Sequence, residues 1–380
     1  MRRPAVTLSK RSLALLAIVV ALALALWSGC GTDDKSAPTA PGREPEAIHL
    51  SAANPAIQAV MAIQEANTPE LMQDLDIVGT ATGLTEDGRP AVLVFAADDA
   101  AAKRVPATLD GVPVVVQVTG RLKAFKGPGG GPSHTAIQTP PIQLGTSGGW
   151  RFDLANGFCC GGTLGSLINK GGTQHILSNW HVLYADIVNG GNGITAQPGD
   201  PVIQPGLIDV NCNANNAQNV ATLVAGGGSL PGNNVDAGIA AVIPGMVDPT
   251  GAILEVGTIS SSTVGASLGQ LVKKSGRTTA LSRSNVNGLN GTVTIGYENE
   301  CAGGSAFNQL FTGQIIIANS RCKFLDGGDS GSLMVEDIAT NPRAVGLLFA
   351  GSIVCSRSAI AIANPINTVL NFYNATMVGN

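Results

Sequence analysis

The stretch Gly328–Ser332, which reads GDSGS, decides the fold together with two stretches that precede it in the chain. These are SNWHV at Ser178–Val182 and VDAGI at Val235–Ile239. A serine hydroxyl is a weak nucleophile at neutral pH, so it needs a base that takes its proton and an acid that orients the base. The three stretches together contain one serine with flanking glycines, one histidine and one aspartate that could meet this need.

Three residues are therefore the candidates for nucleophilic chemistry, namely Ser330, His181 and Asp236. In this interpretation Ser330 is the nucleophile, His181 is the general base and Asp236 orients the imidazole. The glycines beside Ser330 allow tight backbone turns, which can point main-chain N–H groups at a developing oxyanion.

The order of these motifs resembles that of the trypsin-like, chymotrypsin-fold serine proteases, and specifically their bacterial members. In that family the histidine comes first, then the aspartate, then the serine, whereas other Ser-His-Asp hydrolases use other orders. The resemblance covers roughly residues 149–380. It implies a mainly β fold with two six-stranded barrels, of which the first carries His181 and Asp236 and the second carries Ser330. Catalysis would then take place in the cleft between the barrels, without a cofactor.

The resemblance also implies roles for residues around the serine. The N–H groups of Gly328 and Ser330 would form the oxyanion hole. Phe324 would lie at the floor of the primary specificity pocket and Gly351 in its wall, which predicts a preference for apolar P1 side chains. Asp326 is close enough in sequence to restore a site for a cation. Asp329 matches a buried acidic residue that in many members pairs with a processed amino terminus; none is evident here, so its partner stays open, with a nearby lysine or arginine as one option.

Other residues compete for the roles of base and acid. The remaining histidines are His49, His134 and His175, and none has flanking sequence of the same kind. Asp200 and Asp209 lie in Pro/Gly-rich sequence that no apolar strand follows, so Asp236 is the preferred acid.

The composition favours an all-β body and excludes some partners. Only 13% of the 380 residues are charged and the formal net charge is -4, so there is no polybasic face for nucleic acid. Glycine occurs 49 times and aromatic residues make up 4%. Short apolar runs between Gly/Asn/Pro turns predict these strands: Thr163–Ile168, His175–Ser178, Asn219–Val224, Ile239–Ile243, Leu310–Ile317, Ser332–Val335 and Ala344–Phe349. Residues Asn364–Met377 are expected to form a closing helix.

The amino terminus predicts export. A basic segment with Arg2, Arg3, Lys10 and Arg11 precedes the uncharged apolar run Leu13–Trp27, which is short for a bilayer span. We interpret residues 1–29 as a signal peptide and Cys30 as a lipidation site, with ordinary secretion as the alternative. The membrane would then be a partner only through that lipid. Residues 30–46 read as a flexible tether.

A small α+β domain is predicted over residues 47–125. It would contain a helix over Asn54–Leu71 and strands at Ile77–Thr82, Pro90–Ala96 and Val112–Val118. No cluster of catalytic side chains is evident there, so for this accessory or pro-domain a folding assistant, an inhibitory pro-domain and a docking module all remain open. Residues 126–148 are predicted to be a Gly/Pro linker and residues 149–380 the protease domain.

Six cysteines remain after Cys30 is set aside, and in an exported chain they predict disulfides: Cys159, Cys160, Cys212, Cys301, Cys322 and Cys355. We expect Cys301 to pair with Cys322, and Cys159 or Cys160 to pair with Cys212. Paired CxxC and His spacing is absent, so no zinc site is expected.

The sequence thus predicts an exported serine endopeptidase that acts on peptide or protein substrates. The alternative is a non-catalytic surface lipoprotein that binds peptides or proteins on the same fold.

Overall fold

The computed structural model describes residues 50–124, 132–155, 158–184, 196–230, 232–297 and 307–380. Residues 48–380 group into one compact unit. The predicted signal peptide and tether, with Cys30, and the residues His49 and Cys301 lie outside the described residues. Within the described ranges, no helix is both long enough and apolar enough to cross a bilayer.

The amino-terminal part contains the predicted helix and strands. Helix α1 (Pro55–Leu71) begins after Asn54, whose side chain accepts a hydrogen bond from Ala56 N at 2.9 Å, and Pro55 suits the first helical position. The other elements are β1 (Leu50–Ser51), β2 (Ile77–Leu84), β3 (Pro90–Ala96), helix α2 (Asp99–Ala102), β4 (Thr108–Leu109), β5 (Val112–Val118) and β6 (Leu122–Ala124).

The rest of the described chain is dominated by strands. Its first half contains helix α3 (Pro132–Thr135), β7 (Thr146–Trp150), β8 (Leu154–Ala155), β9 (Phe158–Cys159), β10 (Gly162–Leu164), β11 (Ser166–Lys170), β12 (Thr173–Ser178), helix α4 (Trp180–Leu183), β13 (Pro201–Gln204), β14 (Gln218–Gly228) and β15 (Gly238–Val242). Its second half contains β16 (Ser267–Leu268), β17 (Leu271–Lys274), β18 (Ser282–Tyr297), β19 (Phe307–Ala318), β20 (Leu333–Glu336), β21 (Ala344–Ser352), β22 (Ile360–Pro365), helix α5 (Ile366–Tyr373) and β23 (Thr376–Met377). Three 3-10 turns lie at Leu207–Asp209, Ala214–Asn216 and Ser320–Cys322.

The first barrel is an antiparallel sheet that closes on itself. Its strand order is β10-β7-β13-β14-β15-β12-β11, with β23 added beside β11. Because Gly165 alone separates β10 from β11, the two ends of this sheet meet in one bent strand, and the sheet closes as six strands. A side chain at position 165 would collide with the carbonyl oxygen of Gly331, so the bend requires glycine there.

The second barrel is also antiparallel and six-stranded. Its order is β17-β20-β21-β22-β19-β18, and β17 pairs with β18 as well, which closes the ring. The predicted mainly β fold with two six-stranded barrels is therefore confirmed. The closing helix α5 is shorter than the predicted Asn364–Met377.

Strands from residues 77–124 continue the second sheet. β2 pairs with β18, and β3, β5 and β4 follow in order beyond β2. β6 pairs with both β18 and β21, and β1 pairs with β16. Hydrogen-bonded sheet therefore crosses the predicted boundary near residue 125. The role of residues 47–125 as an accessory or pro-domain stays a prediction.

The predicted linker over residues 126–148 is wrong at its carboxyl end. Ile142 and Leu144 are fully buried, and β7 already begins at Thr146. Two apolar side chains in a short polar stretch are enough to fasten it to the barrel core, which the Gly/Pro composition concealed.

The disulfides confirm one prediction and correct another. Cys159 pairs with Cys212 as expected, with Cα atoms 5.5 Å apart. Cys322 pairs with Cys355, so the predicted Cys301–Cys322 bond is wrong. The 3-10 turn at Ser320–Cys322 brings Cys322 to the loop after β21, where Arg321 N donates to Ser356 O at 2.7 Å. Cys160 is disulfide-bonded as well.

Candidate active site

The register of the first barrel brings His181 and Asp236 to the same end. β12 and β15 are antiparallel neighbours, with Ser178 opposite Gly238. His181 follows this pair in helix α4, and Asp236 precedes it on the partner strand. Asn179 Nδ2 donates to the carbonyl oxygen of Asp236 at 2.8 Å, which fixes the two chain segments against each other.

The histidine and the aspartate form a close buried pair. His181 Nδ1 lies 2.6 Å from Asp236 Oδ2, and Asp236 is completely buried. The other carboxylate oxygen, Oδ1, accepts from Trp180 N at 2.8 Å and from His181 N at 3.4 Å. A buried carboxylate needs such donors, because burial without them costs several kcal/mol.

The competing aspartates have other partners. Asp200 Oδ2 accepts from Trp150 Nε1 at 3.0 Å, and Asp209 holds Arg277 through two bonds of 2.7 and 2.6 Å. Of the three candidates for the acid, Asp236 is the one that contacts His181.

A residue that the sequence motifs did not indicate completes the carboxylate's environment. Tyr297, at the end of β18 in the second barrel, donates its hydroxyl to Asp236 Oδ2 at 2.8 Å. Burial, followed by the negative charge of Asp236, raises the pKa of Tyr297 well above its ordinary value, so its hydroxyl keeps its proton. Tyr297 lies in none of the three short motifs, and 61 residues separate it from Asp236.

Ser330 lies on the second barrel, in the turn that leads into β20, and is completely buried. Its backbone contacts the first barrel, since Thr163 N donates to Ser330 O at 2.8 Å. The Ser330 hydroxyl donates to Phe349 O at 3.2 Å. His181 Nε2 has no hydrogen-bond partner among the described residues. The expected Ser–His bond is therefore not formed here, as in many unliganded sites.

The loop before the serine has two unused donors. Neither the Gly328 N–H nor the Ser330 N–H donates to another described residue, whereas Asp329 N and Gly331 N donate to Asp326 O and Leu348 O, both at 3.0 Å. Buried N–H groups without partners are rare in folded proteins. Gly328 has φ of +96°, and a Cβ there would lie 2.6 Å from Thr278 Oγ1, so only glycine fits. The pair of N–H groups suits the binding of an oxyanion.

The partner of Asp329 is an internal lysine. Lys274 Nζ, on β17, lies 3.0 Å from Asp329 Oδ1, and both side chains are completely buried. Asp329 Oδ1 also accepts from Thr278 N at 2.9 Å, and Oδ2 accepts from Thr279 Oγ1 at 2.7 Å. Burial lowers the pKa of Lys274, and the charge of Asp329 opposes that shift.

Phe324, which the family resemblance assigns to the floor of the specificity pocket, is buried. Phe324 is 2% exposed and packs in the cluster that contains Met334 and Leu348. Asp326 is exposed, and its carboxylate accepts from Gly327 N at 2.7 Å. Gly351 lies in β21, within the stretch that pairs with β6, and is opposite Lys123.

The other described histidines lie elsewhere. His175 Nδ1 lies 3.0 Å from Thr173 O, and His134 Nε2 lies 3.1 Å from both Ser275 Oγ and Glu255 Oε2. Burial lowers the pKa of both histidines. Within the described ranges, no group of three or more His, Cys, Asp or Glu side chains could hold a metal ion.

The two closed antiparallel barrels, with His181 and Asp236 at the end of one and the GDSGS turn on the other, decide the architecture. The chain has the trypsin-like serine protease fold. No family model matches it, and no curated protein does.

Three solved structures to which the chain is similar are proteases. A glutamic acid specific serine protease is 19% identical, with a TM-score of 0.42 over 62% of this chain and all of its own. Thermobifida fusca protease A is 19% identical, with a TM-score of 0.40 over 63% of this chain and 99% of its own. Cellulomonas bogoriensis chymotrypsin is 20% identical, with a TM-score of 0.39 over 63% of this chain and 99% of its own.

Proposed function

We propose that the protein is an exported serine endopeptidase. The observation that carries the proposal is the 2.6 Å contact between His181 Nδ1 and Asp236 Oδ2, in the barrel to which Ser330 O is bonded through Thr163 N. Structural histidines seldom combine a buried carboxylate on one ring nitrogen with an unpartnered second nitrogen, whereas a general base needs that combination.

The reaction follows from these contacts. Ser330 Oγ turns away from Phe349 O and attacks the peptide carbonyl carbon, while His181 Nε2 takes its proton. The carbonyl oxygen becomes an oxyanion that accepts from the N–H groups of Gly328 and Ser330. The imidazolium, stabilised by Asp236, then protonates the leaving amine. Water hydrolyses the acyl-enzyme by the same proton transfers in reverse.

The substrate we propose is an extended peptide with an apolar P1 side chain. A carboxylate would be needed to hold a buried lysine or arginine, and the buried pocket residue is Phe324 while Asp326 is exposed. The edge of β21 offers backbone groups for such a peptide.

Export is supported by the disulfides, which persist in oxidising compartments. We propose that Cys30 is lipidated after export, with ordinary secretion as the alternative. Mass spectrometry of the mature amino terminus distinguishes the two.

We also propose that residues 50–124 act as an inhibitory pro-domain. Along one edge of β21, three partners follow one another. β20 pairs with residues 344–347, Ser330 Oγ donates to Phe349 O, and β6 pairs with residues 350–352. β6 is antiparallel to β21 and therefore runs towards Ser330, with Ala124 opposite Ala350. A substrate strand would need the same edge, so β6 and substrate compete for it.

The inhibitory role is tested in the full chain by Lys123→Pro, with Lys123→Ala as the matched control. Lys123 lies opposite Gly351 on one side and Gly296 on the other, so proline removes a strand N–H and crowds both neighbours. Alanine removes the side chain but keeps the N–H. We expect peptide hydrolysis to rise with proline and to rise far less with alanine. Equal activity of the folded proline variant and the wild type would contradict the role.

The protease function is tested in the Lys123→Pro background with a fluorophosphonate probe and a casein substrate. Ser330→Ala should abolish labelling and lower turnover by roughly 10⁶-fold. Ser320→Ala, at an exposed serine of the neighbouring turn, should change neither. A folded chain that binds peptides without labelling or hydrolysis would favour the non-catalytic lipoprotein instead.

A further inference from the structure

We propose that Tyr297 is a positioning residue for the reaction. Its hydroxyl holds the Asp236 carboxylate from the opposite barrel. The inference rests on the proposed protease function and adds to it a residue that acts through Asp236. It assigns to the second barrel a part in orienting the base, in addition to supplying the nucleophile.

The contact joins the two barrels at one oxygen atom. Asp236 precedes β15 in the first barrel, and Tyr297 ends β18 in the second. Asp236 Oδ2 accepts from the Tyr297 hydroxyl at 2.8 Å and lies 2.6 Å from His181 Nδ1. The donors to Oδ1 are backbone N–H groups of the first barrel. Among the described residues, Tyr297 is the second-barrel donor to this carboxylate.

The tyrosine ring is held firmly enough to fix the position of its hydroxyl. Tyr297 is 3% exposed and stacks on Phe307 with ring centroids 4.8 Å apart and planes 7° apart. Edge contacts with Trp180 at 6.2 Å and His181 at 6.0 Å complete the enclosure. Because the aromatic neighbours hold the ring, phenylalanine can fill the same space, and the substitution removes little besides the hydroxyl.

The hydroxyl shares the charge of Oδ2 with the imidazole. When the imidazolium forms, its Nδ1–H and the tyrosine O–H both donate to the same carboxylate oxygen. Without the tyrosine hydroxyl, the negative charge of the carboxylate acts on the imidazolium alone, so the imidazolium holds its proton more strongly. The carboxylate also loses one of the hydrogen bonds that fix its orientation. Proton transfer to the leaving amine becomes less favourable, and the base forms at higher pH.

The test compares Tyr297→Phe with Tyr184→Phe, both in the Lys123→Pro background. Tyr184 is a matched control because it is also buried and donates its hydroxyl to Ile239 O at 2.9 Å, in the first barrel. For Tyr297→Phe we expect kcat to fall about 10- to 100-fold with little change in KM. The acid limb of the kcat/KM profile should move up by roughly half a pH unit to one unit. Tyr184→Phe should leave the acid limb in place.

A second measurement keeps the inference testable if activity or folding fails. The chain has three tyrosines, so fluorotyrosine in the Tyr184→Phe, Tyr373→Phe chain labels position 297 alone. A fluorinated phenol is a stronger hydrogen-bond donor, so the acid limb of the kcat/KM profile should move to lower pH. The low-field proton resonance of the His181 Nδ1–H should shift in the direction opposite to its shift in Tyr297→Phe. An unchanged resonance and unchanged profile in both variants would overturn the inference. Loss of hydrolysis without any Ser330 labelling would instead overturn the protease function.

Discussion

Lys274 Nζ lies 3.0 Å from Asp329 Oδ1, with both side chains completely buried, directly beside the candidate nucleophile. The carboxylate of Asp329 is thereby held from within the chain, and it also fixes Thr278 and Thr279 through their backbone N–H groups. The loop that presents the Gly328 and Ser330 N–H groups has its charge partner in place without a processed amino terminus. The proposed competition by β6 would control activity at a different place, the edge of β21.

The first prediction concerns this ion pair. Lys274→Met leaves Asp329 as a buried carboxylate without its cation, and we expect the free energy of unfolding to fall by about 3–5 kcal/mol. The double variant Lys274→Met/Asp329→Asn removes both charges and should recover much of that loss. Urea unfolding followed by fluorescence measures both. Lys103→Met, at an exposed lysine, is the control and should change stability little. A single variant as stable as this control would show that the pair contributes nothing.

The second prediction concerns specificity. Profiling of the active Lys123→Pro chain on a peptide library should give cleavage after apolar side chains, because Phe324 occupies the buried pocket position. Asp326→Asn should leave the profile unchanged, since the Asp326 carboxylate is exposed and bonded to Gly327 N. Dominant cleavage after lysine or arginine, lost in Asp326→Asn, would assign the pocket floor to Asp326 instead.

The third prediction concerns pH and the buried His134. Burial holds the pKa of His134 below its ordinary value of 6.5, so the unfolded chain binds a proton more readily as the pH falls through that value. The contribution of the neutral, buried His134 to the free energy of unfolding is therefore complete above about pH 6.5 and is lost as the pH falls below that value. The free energy of unfolding should decrease from pH 7.5 to pH 5. The free energy of unfolding of His134→Gln should decrease less over this range. His175, whose pKa is also lowered, accounts for part of the pH dependence that remains. Equal slopes in the two proteins would contradict the role of His134.

Much of the fold could be predicted because its signals are local. Apolar runs between turns located the strands, and short motifs indicated His181, Asp236 and Ser330, of which the structure shows His181 and Asp236 in contact. The motif order, through its family resemblance, also implied the two barrels that strand pairing confirms.

The features that the sequence did not reveal are contacts between distant segments. Tyr297 is 61 residues from Asp236, and nothing in its own surroundings marks a donor. Six cysteines allow fifteen connectivities, so the Cys322–Cys355 bond could not be chosen from spacing alone. The pairing of β2 with β18 joins strands that are far apart in the sequence, with Thr82 opposite Leu289.

The bend at Gly165 and the narrow space at Gly162 have a consequence for mutational tolerance. At each position an added methyl group would touch the GDSGS segment of the other barrel, at Gly331 O or at Ser330 O. Part of the abundant glycine therefore acts as a spacer that lets two backbones approach, where composition alone indicated turns. In a saturation library selected for folding, alanine should be excluded at both positions yet accepted at many surface turns. Loss of folding with alanine at both positions would then mark where the two barrels touch.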